Sequence, residues 1–127
     1  MNSKLDALLD KWLAACVSRD ASDLHLVAGL PPHLRVHGEL TAIPGEPELT
    51  ASALRAIADD LLDRMARRHE EARMCLETTL SAKGSFDGAM TAPDQTRFRF
   101  NLFRRQGDIS IALRRLEDRL QTLAELG

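Results

Sequence analysis

A chain of 127 residues, 44% apolar and 28% charged, has the size and composition of one domain able to bury a modest core. The amino terminus MNSKLDALLDKW interleaves charged and apolar residues where a signal peptide needs an unbroken apolar run. No stretch has the length of a membrane span, so the expected location is the cytoplasm. Two cysteines, Cys16 and Cys75, exclude a disulfide framework and a four-cysteine zinc site, and Cys16 falls on an apolar helical stripe where packing is its use.

The net charge of −2 is unevenly spread. After residue 96, seven arginines (Arg97, Arg99, Arg104, Arg105, Arg114, Arg115 and Arg119) face only four acidic residues, so this end carries +3 and the remainder −5. Such asymmetry points to an anionic partner near the last strands, with phosphate the leading choice.

Ser3 stands where it can cap a helix over residues 4–19, in which Leu5, Leu8, Leu9, Trp12, Leu13 and Cys16 share one face. From Asp23 the period becomes two. Leu24 and Leu26 alternate with Asp23 and His25 until Gly29 and Pro31-Pro32 break the run. Leu34 and Val36 then point one way and His33, Arg35 and His37 the other. His37-Gly38 suits a two-residue hairpin turn, with residues 40–43 returning. After a loop over 44–47, Thr50 caps a second helix whose Leu54, Ile57, Ala58, Leu61, Leu62 and Met65 repeat the spacing of the first.

That helix is expected to break near Asp63-Arg64 and to be followed by a short amphipathic piece over 65–74 and a strand over 76–81. Residues 82–95, rich in Gly, Ser, Ala and Asp, read as an inserted loop with a mobile tip. In 97–103 the positions Phe98, Phe100 and Leu102 form an apolar face, while Arg97, Arg99 and Asn101 share the other. Gln106-Gly107 begins a turn, after which Ile109, Ile111 and Leu113 alternate with Ser110, Ala112 and Arg114. Parity places Arg99 and Arg114 on the faces opposite their aliphatic neighbours, and Arg115 on the aliphatic side. The order of elements predicts an α+β domain whose hairpins build a largely antiparallel sheet covered by helices.

No G-x-x-x-x-G-K-[ST] motif occurs, so the chain alone has no phosphate cradle and is not expected to hydrolyse ATP by itself. No nucleophile elbow surrounds any serine. Among the histidines, His33 and His37 share a strand face, with His25 on a nearby strand. Strand residues four apart are roughly 13 Å apart, too far to share a zinc ion, so no metal site is expected.

Two stretches, SDLHLVAGLPPHLRVHGEL over residues 22–40 and TRFRFNLFRRQGDISIALRR over residues 96–115, resemble the N-terminal domain of the type IV pilus retraction ATPases, the PilT/PilU family within the type II and IV secretion ATPase superfamily. Both occur in the family's order, and the closing LQTLAELG resembles the linker to the catalytic half. LRRLE is closer to the PilU side of the family and GLPPHLR to the PilT side.

The resemblance implies a PAS-like domain over 1–119 and the start of a linker at 120–127. It implies that Arg99 and Arg114, 15 residues apart as in the family pattern, contact the phosphates of ATP and its Mg held by a catalytic domain of the same or a neighbouring subunit. Arg97, one step further out, and Arg115 are secondary positions for nucleotide contact. Further implications are a homo-hexameric motor, contact with the pilus machinery at the inner membrane, and a linker that transmits rotation to power twitching. Asp23 and Ser22 read as ties to local backbone, and the Glu77-Thr78-Thr79-Leu80 stretch departs from the family's acidic-Thr-Asp pattern.

Two other classes compete on the residues alone. A free-standing PAS-like regulatory module would need an internal ligand pocket. A nucleic-acid module would use the same arginines, but one tryptophan, no tyrosine and four phenylalanines, two of them on the core face, leave few stacking platforms, and no nucleic acid is expected as a partner.

Overall fold

The computed structural model of the protein describes residues 3–65, 84–105 and 107–116. Helix α1 (Ser3–Ser18) buries Leu9, Trp12, Leu13 and Cys16 at three- and four-residue spacing, as its apolar stripe requires. Helix α2 (Ala51–Met65) buries Leu54, Ile57, Ala58, Leu61 and Leu62 in the same way. Thr50 starts α2, its Oγ1 accepting the Ala53 N–H at 3.0 Å and satisfying one of the amides that a first turn leaves open. Thr50→Ala is expected to cost about 1 kcal/mol, seen as a lower urea midpoint at unchanged slope.

α2 is described as far as Met65, one residue past the Asp63-Arg64 position where a break is expected. In its last turn the Arg64 guanidinium holds Asp60 one turn back and reaches Asp10 of α1 at 2.6 Å. The two helices are thereby joined side by side. The amphipathic piece expected over 65–74 falls, beyond Met65, outside the described residues. So do the strand over 76–81, with Cys75 and the Glu77 stretch, and the linker over 120–127.

Among the described residues six strands form one antiparallel sheet: β1 (Asp23–Leu26), β2 (His33–Val36), β3 (Glu39–Ala42), β4 (Ser85–Thr91), β5 (Arg97–Arg105) and β6 (Asp108–Arg115). Their spatial order, β3-β2-β1-β6-β5-β4, is two three-stranded meanders joined along a seam between β1 and β6. His37 and Gly38, with φ of 51° and 85°, both take the left-handed backbone of a tight hairpin turn. The return strand therefore starts at Glu39, one residue earlier than residues 40–43 suggested, and Ile43 leaves it to be buried in the core.

The larger correction concerns 82–95. Instead of a loop, Ser85–Thr91 forms β4 and pairs along its whole length with β5, from Ser85 opposite Phe103 to Thr91 opposite Arg97. Its small residues have low strand propensity, but the free edge of β5 satisfies their backbone groups, and Met90 is buried beside Phe98. The turn shrinks to residues 92–96, where Asp94 Oδ1 accepts the Thr96 N–H at 2.9 Å.

Both helices lie on the same side of the sheet, α1 against β1 and α2 against β4 and β6. That side carries Leu24, Leu26, Leu34, Phe98, Phe100, Leu102, Ile109, Ile111 and Leu113, all buried, and it is the core. Cys16 belongs to it, its Sγ–H donating to Ala21 O at 3.5 Å, and burial pushes this thiol up to about 11, which suits packing and not nucleophilic use. The fold is α+β, with an antiparallel sheet covered on one face.

Candidate functional site

The sheet face turned away from α1 and α2 carries the charges. Cross-strand register sets Arg35, Asp23, Arg114 and Arg99 side by side in one row over β2, β1, β6 and β5. The next row holds His33, His25, Ala112, Asn101 and Asp87.

Arg99 and Arg114 are direct partners, as the parity of the two strands anticipated. They lie equally far from the Arg105–Asp108 pair that ends the β5–β6 ladder, beside which Gly107 takes a φ of 86°, so the antiparallel register brings them opposite one another. Both are exposed, and together with Asp23, Asp87, Asn101 and Ala112 they border a shallow depression of about 270 Å³. Asp87 accepts a hydrogen bond from Asn101 Nδ2 at 2.7 Å, which occupies one carboxylate at the rim.

Arg97 shares the face but stands one row out, opposite Thr91. Arg115 is on the core side, where its Nε donates to Ala21 O at 2.9 Å and its Nη2 to Asp20 at 2.6 Å. It secures the start of β1 and does not join Arg99 and Arg114.

Asp23 departs from its expected role. Ser22 ties to the neighbouring strand and not to local backbone, its Oγ donating to Arg35 O at 3.4 Å, and the Asp23 carboxylate lies across the seam from Arg114, with Oδ2 3.5 Å from Nε. Sequence reasoning missed this contact because it depends on β1 pairing with β6, elements separated by most of the chain. The only local signal was an acidic residue at a strand start, which fits a capping role equally well.

The histidines are also rearranged. His37 sits in the turn, and the direct cross-strand partners are His25 and His33. His33 Nδ1–H donates to Pro31 O at 2.7 Å, while His25 Nε2 is buried with no hydrogen-bond partner among the described residues. Among the described residues no group of three or more His, Cys, Asp or Glu side chains is placed to hold a metal.

Burial holds the His25 imidazole below its usual 6.5, with Arg35 and His33 adding to the effect and Asp23 opposing it. The folded chain thus resists a proton that the unfolded chain accepts. His25 supports stability fully above 6.5, and that support fades as pH falls from there toward its lower folded value. Melts recorded above and below that pH should show the loss, and His25→Gln should flatten it.

No protein-family model matches the chain. It is 33% identical over 119 residues to the type IV pilus retraction ATPase PilT of Pseudomonas aeruginosa, covering 94% of this chain and 31% of PilT. It is 30% identical over 121 residues to the type IV pilus ATPase PilU of the same organism, covering 92% of this chain and 28% of PilU. The chain therefore spans about a third of the length of the curated relatives it matches. The crystal structure of the pilus retraction motor PilT with bound ADP superposes with a TM-score of 0.66 at 26% identity, over 85% of this chain and 29% of that one. With an antiparallel sheet, two helices and matching sequence over nearly its whole length, the chain matches the N-terminal domain of the PilT/PilU family of type IV pilus ATPases.

Proposed function

We propose that this domain serves a cytoplasmic pilus retraction motor, in which Arg99 and Arg114 meet the phosphates of Mg-bound ATP held by a catalytic domain of the same or a neighbouring subunit. The observation that carries the reading is their register: two guanidinium groups directly opposed on one exposed sheet face, bordering a depression. A guanidinium stays charged, presents a planar fork to phosphate oxygens, and stabilises charge on a transferring phosphoryl group. Because the chain lacks a phosphate-binding loop motif, the triphosphate must be held by other residues, which is what an arginine supplied from outside requires.

In this reading the motor is a hexameric ring working against the pilus machinery at the inner membrane, and residues 120–127 lead from the PAS-like domain toward the motor half. Among the described residues no helix is long and apolar enough to cross a membrane. Nucleic acid is not part of the reading: Phe98, Phe100 and Trp12 are buried, and the half-buried Phe103 beside Asn101 gives the arginine face little stacking surface. The test is ATP hydrolysis by the intact motor that carries this domain, with Arg99→Ala and Arg114→Ala made singly. Each is expected to reduce turnover, and undiminished turnover in both would refute the reading.

A further inference from the structure

We infer that Asp23 is the positioning residue for Arg114, holding its guanidinium by the Nε edge so that the terminal nitrogens face an incoming phosphoryl group. The phosphate in this statement rests on the function proposed above; the hold of Asp23 on Arg114 rests on geometry alone.

Asp23 is the direct cross-strand partner of two arginines, Arg35 on β2 and Arg114 on β6. Arg35 is turned away, its Nη1 donating to Gly38 O at 3.0 Å in the hairpin turn. The carboxylate is left to Arg114, with Oδ2 3.5 Å from Nε. Only 11% of the Asp23 side chain is exposed, against 72% of Arg114, so the acid is embedded in the sheet and the cation reaches into solvent.

An ion pair so exposed on its cationic side adds little to stability. Its use is therefore better sought in orientation. Contact at Nε leaves Nη1 and Nη2 as donors for phosphate oxygens. On the other flank, Arg99 repels Arg114 as a like charge directly opposite. The attraction of Asp23 draws Arg114 toward β1 and keeps the space floored by Ala112 open between the two guanidinium groups.

The first test is arginine side-chain NMR on the 127-residue chain. The Nε–Hε group of Arg114 is expected to show a heteronuclear NOE of a restrained bond while that of Arg99 shows fast averaging; equal mobility in the wild-type chain overturns the inference without any variant. Asp23→Asn should release Arg114 to the mobility of Arg99, Asp23→Glu should restore part of the restraint, and an unchanged Arg114 signal in a folded Asp23→Asn chain overturns it.

The second test is turnover of the motor carrying this domain. Asp23→Asn should lower kcat several-fold with little change in the KM for ATP, and should add no further loss to Arg114→Ala. Full additivity of the two changes overturns the inference, because Asp23 would then act by another route. If Arg114→Ala leaves turnover intact, the phosphate contact of Arg114 fails, and the NMR comparison still decides whether Asp23 holds Arg114.

Discussion

Replacing Arg99 and Arg114 together by alanine is expected to lower ATP turnover of the motor that carries this domain by about 10³-fold or more, the scale on which arginines act in phosphoryl transfer. The domain itself should not suffer. Both side chains are exposed on the face away from the helices, and they oppose each other as like charges. Removing them should change stability by less than about 0.5 kcal/mol. Lysine at both positions keeps the charge and loses the planar fork, so partial recovery is expected. Steady-state hydrolysis at saturating ATP, paired with a thermal melt of each variant, checks both halves. A lost turnover accompanied by a lowered melting point would mean that the fold, not the phosphate contact, had been damaged.

Trp12→Ala should have the largest effect on stability, about 3–5 kcal/mol, because it empties the biggest fully buried side chain from the layer between α1 and the sheet. Domains of this size hold only about 5–15 kcal/mol in total, so a large part of the margin would go, with a melting point lower by more than about 10 °C. The indole also does polar work. Trp12 Nε1–H donates to Glu46 Oε1 at 2.6 Å, and Lys11 Nζ donates to the other oxygen at 2.9 Å. Those donors, Lys11 first, hold the Glu46 carboxyl below its usual range and fasten the loop before α2 to α1. Trp12→Phe separates the two contributions: it keeps most of the apolar volume and drops the hydrogen bond, at a cost of about 1–3 kcal/mol. Urea denaturation of the two variants beside wild type gives the comparison, and equal losses would show that volume contributes nothing beyond the bond.

What could be read from the sequence is what depends on neighbours along the chain. The stripes Leu9-Trp12-Leu13-Cys16 and Leu54-Ile57-Ala58-Leu61-Leu62 encode helix faces by spacing, His37-Gly38 encodes a hairpin by its backbone demands, and alternation in Arg97–Arg105 and Asp108–Arg115 assigns Arg99 and Arg114 to one face. The family pattern in the two quoted stretches added the likeness to the N-terminal domain of the PilT/PilU ATPases. Residues Ser85–Thr91 read as a loop because Asp87, Gly88 and Ala89 have low strand propensity and outweigh the alternating Phe86 and Met90; pairing with β5 makes them a strand.

The seam between β1 and β6 lay wholly beyond such reading. Strand pairing is made by backbone groups that every residue possesses, so the identity of a distant partner is decided only when the helices bury one face of both meanders together. That tertiary choice set Asp23 beside Arg114. The chain's own periodicity provided two arginines on one surface, and the closing of the sheet provided the carboxylate that holds one of them.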